Sequence, residues 1–286
     1  MSVDELIKLI SKATGIFYPI NSTLKTITDN HNKLIIMKSE YDESLKRKIL
    51  DSSALNDIER ALLISNITKS TIAFVNQAQI LGVAIENINK EQISIENIDD
   101  DYLLYFFDQA KNISDADVQY IWGKLLAYSL DGTINRNKKI INILSLMSQG
   151  DIDSFCTICS MSYDNVSKQG GQYPFIYISE HPGYYNRHGI RRYNMAELDN
   201  LGLIEYNVNK NFVLPSEVPI LRYGNNVVKL KSCNRIINGN VRLTDVGRIL
   251  YRITTVDKFD DFLKYCKSIW DKHDIEYTIE EYRDKI

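Results

Sequence analysis

The stretch with the most chemical potential is Tyr184–Tyr193, YYNRHGIRRY, where cations are interleaved with aromatic rings. Arg187 and Arg191 are four residues apart, and His188 and Arg192 repeat that spacing, so on one continuous helix they would line neighbouring rows. Guanidinium groups hold phosphates and phenol rings stack on bases, so the chemistry offered is recognition of a nucleic acid. A second basic run, Val227–Arg235, sets Lys229, Lys231 and Arg235 at alternate positions of a strand-like segment. The plainer alternatives are a solvated basic helix start beside a tyrosine-rich loop, and a sheet edge protected by lysines. Both runs fall within residues 170–254, which hold eleven Lys and Arg against six Asp and Glu, in a chain of formal net charge −3. That local excess makes nucleic acid the expected partner of this segment alone.

Other chemistry is harder to assemble. Cys156 and Cys159 form C-x-x-C, but Cys233 and Cys266 stand far apart, so a tetrahedral zinc cage lacks its second pair. In DIDSFCTICSM, Ile152, Phe155, Cys156 and Cys159 follow helical spacing, which puts both thiols on an apolar helix face. His31, His181, His188 and His273 have no metal-motif spacing. Gly170–Gly171 is not followed by the Gly-Lys-Ser/Thr of a phosphate-binding loop, and no dinucleotide fingerprint, H-E-x-x-H or nucleophile elbow occurs. No catalytic residue, metal or cofactor is therefore assigned, and the enzyme alternative is a toxin whose active site is dispersed in sequence.

The elements that must position these groups read as mainly helical, since 286 residues contain only five prolines and thirteen glycines. No apolar run approaches the ~20 residues that cross a bilayer, and the opening MSVDELIKLISKATG is amphipathic, so a cytoplasmic protein is expected. Ser2 and Glu5 have capping-box spacing at its start. Long helices are expected over about 21–89, broken at Asp51–Glu59 with Ser53 or Asn56 as cap. They offer a surface for a protein partner or a homo-oligomer. NKEQISIENIDDD reads as a loop, and a compact Trp-containing bundle follows over about 99–165. In it Ser114 is expected to cap a helix with Asp115 and Asp117 in its first turn. Val118, Ile121, Trp122, Leu125 and Leu126 form its buried face, and Gly132 ends it. Ser167–Pro174 reads as a boundary between a helical domain, 1–165, and an α+β domain, 172–286. The latter should contain a strand at FIYIS, a helix from about Arg187 to Leu201–Gly202 and a strand from Leu203. Short strands at Phe212–Leu214 and Val227–Leu230, a Thr244-capped helix and a closing helix over Asp257–His273 follow.

One further observation concerns ISDADVQYIWGKLLAYSLDG. With Asp115, Asp117, Gln119, Trp122, Lys124, Leu125, Leu126 and Ala127 in place, this core resembles a bacterial family of unknown function. That family is itself similar to the Abi-alpha proteins of abortive phage infection. LIKLISKATGIFYP, IDDDYLLYFFDQA, LDNLGLIEYN and RLTDVGRILYRI extend the likeness, whereas DGTINRNKKI departs from the Pro-Gly and Ser-x-Arg usual after the core. The resemblance implies a non-enzymatic component of anti-phage defence that acts by nucleic-acid or protein recognition. The rival expectation is a helical oligomerisation module that binds no nucleic acid. LGLIE and LTDVG also resemble the recognition-helix end, wing and returning helix of a winged-helix domain. The connection from Ile204 to Leu243 is too long for a plain wing, so either an insertion sits there or the winged-helix likeness fails.

Overall fold

A computed structural model describes residue 11 and residues 24–89, 100–166, 171–174, 182–209, 212, 220–231, 239–254 and 256–281. Ser2, the 90–99 loop, FIYIS, Val213–Leu214, His181, Cys233 and Arg235 lie outside these residues. The protein is mainly helical, with small antiparallel sheets towards its C-terminus, and it divides into two compact units at Ser145/Leu146.

The first unit begins with a helical hairpin, α1 (Leu24–Leu50) and α2 (Asp57–Asn87). Its break falls where the sequence places it. Asn56 is the N-cap, accepting from the Glu59 amide at 2.9 Å while Glu59 accepts from the Asn56 amide at 2.9 Å. Arg60 ties the turn by donating to the Ser52 carbonyl at 2.6 Å. Thr71 Oγ1 donates to Asp42 at 2.6 Å and sets the register of the two helices. The second half of α2 then packs on α3 (Asp100–Ala110) and α4 (Ala116–Leu130), and α5 (Lys138–Leu146) follows.

In α4 the cap is Asp115 rather than the expected Ser114, its carboxylate accepting from the amides of Asp117 and Val118. An ionised acceptor at the positive helix end makes the stronger cap. Gly132 takes φ +77° just past the end of α4. The expected apolar face is buried in full, with Trp122 edge-on to Phe106 at 5.1 Å.

The second unit opens with α6 (Gln149–Ser160), whose Ser148 cap forms a capping box with Asp151. The Ser167–Pro174 stretch does not separate domains. β1 (Ser162–Asn165) pairs antiparallel with β2 (Gly171–Pro174), so Gly171 opens a strand, and both strands lie in the second unit. Pro174 is tolerated because β2 is an edge strand. Four more segments follow: α7 (Gly183–Arg187), α8 (Arg192–Asn200), β3 (Ile204–Tyr206) and β4 (Ile220–Tyr223). The chain continues through β5 (Asn226–Leu230), β6 (Val241–Leu243), α9 (Asp245–Ile253), α10 (Phe262–Lys272) and β7 (Tyr277–Glu281). The larger sheet runs β2-β1-β4-β5-β7, and β3 pairs with β6 in a separate ladder. Part of the long Ile204–Leu243 connection is thus the β4–β5 hairpin, an insertion recruited into the other sheet. Phe212 is not in a strand; its amide donates to the Gly239 carbonyl at 2.7 Å.

Candidate nucleic-acid interface

The basic run is not one helix. Gly189 takes φ +79° and Ile190 is buried, so the chain turns between α7 and α8. Arg187 ends the first helix and Arg191 occupies the N-cap position of the second, so the expected i, i+4 rows do not form. The aromatic residues divide as well. Tyr184 and Tyr185 are buried, and Tyr184 stacks on Tyr265 at 4.2 Å and donates to Asp261 at 2.6 Å. Burial, reinforced by Asp261, pushes the Tyr184 phenol far above its usual range. The His188 ring packs against Phe259 at 4.2 Å, with Nε2 3.7 Å from Asp261. These rings build the core and are withdrawn from base stacking.

Arg187, Arg191, Arg192 and Tyr193 remain exposed, and Tyr193 at 61% is the one large ring of the run open to solvent. The other face of α8 is fixed. Met195 and Leu198 are buried, and Asn194 donates to Ser154 of α6 at 2.9 Å. Lys229 and Lys231 stand in ion pairs. β7, which the sequence analysis does not anticipate, brings Glu280 to 2.8 Å from Lys229 and Glu276 to 3.5 Å from Lys231. The acids in and beside YTIEE thus neutralise the basic strand they pair with.

Behind α8, the two halves of the LGLIE and LTDVG pair meet. Gly202 takes φ +74°, and Thr244 Oγ1 donates to its carbonyl at 2.6 Å while accepting from the Gly247 amide at 3.0 Å. A Cβ on Gly247 would overlap the Leu203 carbonyl, so the first turn of α9 sits directly on the backbone entering β3. The β3–β6 ladder pairs Ile204 with Leu243 and Tyr206 with Val241. α7, a turn and α8 are thus followed by β3, which pairs with β6 across the β4–β5 insertion.

Lys258 is the other group with perturbed chemistry, and sequence reasoning missed it. Burial pushes its ammonium down to about 8, beside an open pocket of about 400 Å³ between Tyr223–Asn226 and Val256–Asp260. A lysine so placed is a candidate nucleophile. Its three N–H bonds are nevertheless committed, to the Cys159 carbonyl at 2.9 Å, the Ser162 carbonyl at 2.7 Å and Tyr251 Oη at 3.0 Å. Tyr251 donates in turn to Asp164 at 2.9 Å, which Arg222 also holds at 3.2 Å. The ammonium ends α6 and anchors β1. No motif spacing reveals this, because its partners are carbonyls some ninety-six to ninety-nine residues away. Cys159 is buried on α6 and Cys156 half-buried, in keeping with the apolar-face reading. Among the described residues no group of three His, Cys, Asp or Glu side chains could hold a metal ion.

The core motif of the first unit turns out to be a packing and capping device. Gln119 is buried and donates to the Ile113 carbonyl at 2.7 Å, and Asn76 donates to the Lys111 carbonyl at 2.9 Å. Together they satisfy the end of α3. Lys124 is buried with its ammonium 4.7 Å from the Tyr120 ring, Leu125 is buried, and Asp117 is exposed in the first turn. Gly123 is the residue the motif hides. A Cβ there would overlap the Val83 side chain and stand 2.9 Å from the Ile80 carbonyl, so its absence lets α4 approach α2. A family model described as a protein of unknown function, DUF2806, matches residues 71–267. The chain belongs to that family. No curated protein and no solved structure matches it, and no link to Abi-alpha proteins is among these findings. The DUF2806 match takes in the Trp122 core, the α7–α8 turn and Lys258, and it leaves α1 and the first part of α2 outside. No described helix is long and apolar enough to cross a membrane.

Proposed function

We propose that the protein is a non-enzymatic component of anti-phage defence that recognises nucleic acid through the α7–α8 turn. The observation that carries the binding is the exposure of Arg187, Arg191, Arg192 and Tyr193 at one turn, on a helix whose opposite face is locked into the core. The β3–β6 ladder behind α8 supports the reading, since a winged-helix module sets its second helix before such a strand pair. Fold likeness does not establish function, so the arginines carry the weight. Defence as the setting rests on the likeness of the Asp115–Ala127 core to Abi-alpha proteins.

The patch holds few cations, so binding is to phosphate, moderate in strength and largely indifferent to sequence. A salt titration of fluorescent DNA and RNA against the parent and Arg191→Glu/Arg192→Glu tests it. Affinity of the parent should fall steeply with salt, and the double reversal should weaken binding at least about tenfold for every sequence, with little change in stability. Absence of binding at low salt, or equal binding by both proteins, sinks the proposal.

A further inference from the structure

We infer that the α1–α2 hairpin is the interface for a second copy of this chain, packed antiparallel on the first. Among the described residues the hairpin has only two layers along most of its length, and no residue of α2 before Asn76 is fully buried. Its inward positions recur by sevens: Ile35, Asp42 and Ile49 on α1, and Ile64 and Thr71 on α2. The residue after an inward position turns to the same flank in both helices, because antiparallel helices of one hand rotate towards the same side. Those positions are Ile36 and Leu50 on α1 and Ile72 on α2; Ile58 lies two heptads before Ile72, and Leu62 one turn beyond Ile58. All five are more than half exposed, and Ile58 reaches 73%.

The area suits a dimer. Five such side chains offer on the order of 100 Å² each, and with the polar residues between them the flank approaches about 800 Å², one partner's share of a standard interface. The charges suit a second copy in particular. Along α1 the exposed acids Glu40 and Glu43 precede the exposed base Arg47 on this flank, so an antiparallel copy sets Arg47 of each chain against the acids of the other. The pair of Glu43 with Lys46 at 2.7 Å is a solvent-exposed i, i+3 contact and yields readily to such an arrangement.

Sedimentation equilibrium of the full chain, from about 1 to 100 µM, tests the inference. The parent should be a dimer across this range. Ile58→Glu/Leu62→Glu should dissociate at least about 100-fold more readily with an unchanged helical spectrum, since both side chains lie in solvent. Glu40→Lys/Glu43→Lys and Arg47→Glu should each weaken self-association, and mixing the two should restore it. A monomeric parent at the highest concentration overturns the inference. So does a dimer that ignores these substitutions, which would use another surface. Neither result bears on the arginines of α7 and α8.

Discussion

Glycine within a helix costs about 1 kcal/mol relative to alanine, so one retained in mid-helix calls for a reason. At Gly123 the reason is the approach of α4 to α2, a contact some forty residues distant in sequence that no local spacing around Trp122 reveals. Gly123→Ala is expected to destabilise the protein by about 1–3 kcal/mol, the range for overpacking a tight contact. Gly183→Ala, at a position with nothing within 4 Å, should change stability by less than about 0.5 kcal/mol. Urea midpoints of the two variants give the comparison, and equal midpoints would mean that the α2–α4 contact yields freely. The basic patch teaches the converse at the same scale. Tyr184, Tyr185 and Tyr193 look alike in sequence, yet two are core and one is surface, because the first two sit on α7, packed against Tyr265, and the third opens α8 beyond the turn at Gly189.

At the scale of elements, local signals are legible in the sequence and distant ones are not. The Asn56 cap, the Thr244 cap, the Gly202 stop and the Val118–Leu126 face all depend on residues within a turn or two of one another, and each stands where its spacing puts it. β7 escapes a sequence reading because YTIEE is short, half-buried only at Tyr277 and Ile279, and a strand by virtue of β5 beside it. The Ser167–Pro174 boundary fails for a related reason, since glycine and proline mark a chain reversal without saying what the two arms do next. Thr244 joins local and distant roles, capping α9 while holding the Gly202 carbonyl. Thr244→Ala should therefore cost about 1–2 kcal/mol, at or above the usual loss for an N-cap. Thr244→Ser should restore most of it, and a serine variant as unstable as the alanine one would shift the explanation to the lost methyl group.

For the molecule as a whole, buried protons set the response to alkali. Burial drives the thiols of Cys159 and Cys266 and the phenols of Tyr163 and Tyr185 well above their usual values, so the folded chain keeps protons that the unfolded chain releases. Stability falls as pH rises past the ordinary thiol value of 9.0. Lys258 works in the opposite sense. Its folded value of about 8 lies below the ordinary 10.5, so between them the unfolded chain binds the extra proton and this residue's contribution grows with pH. The stability difference between the parent and Lys258→Met should move towards the parent by about 1–2 kcal/mol over that window, read from urea midpoints at successive pH values. A difference independent of pH would show that the ammonium is not held as described. The β2-β1-β4-β5-β7 order also carries a consequence in time. As the chain leaves the ribosome, the local helices of the first unit can close one after another, whereas the larger sheet waits for its last strand. Until residues 277–281 emerge, β5 is a bare edge guarded by Lys229 and Lys231, and those two charges hold off other nascent chains until Glu280 and Glu276 arrive.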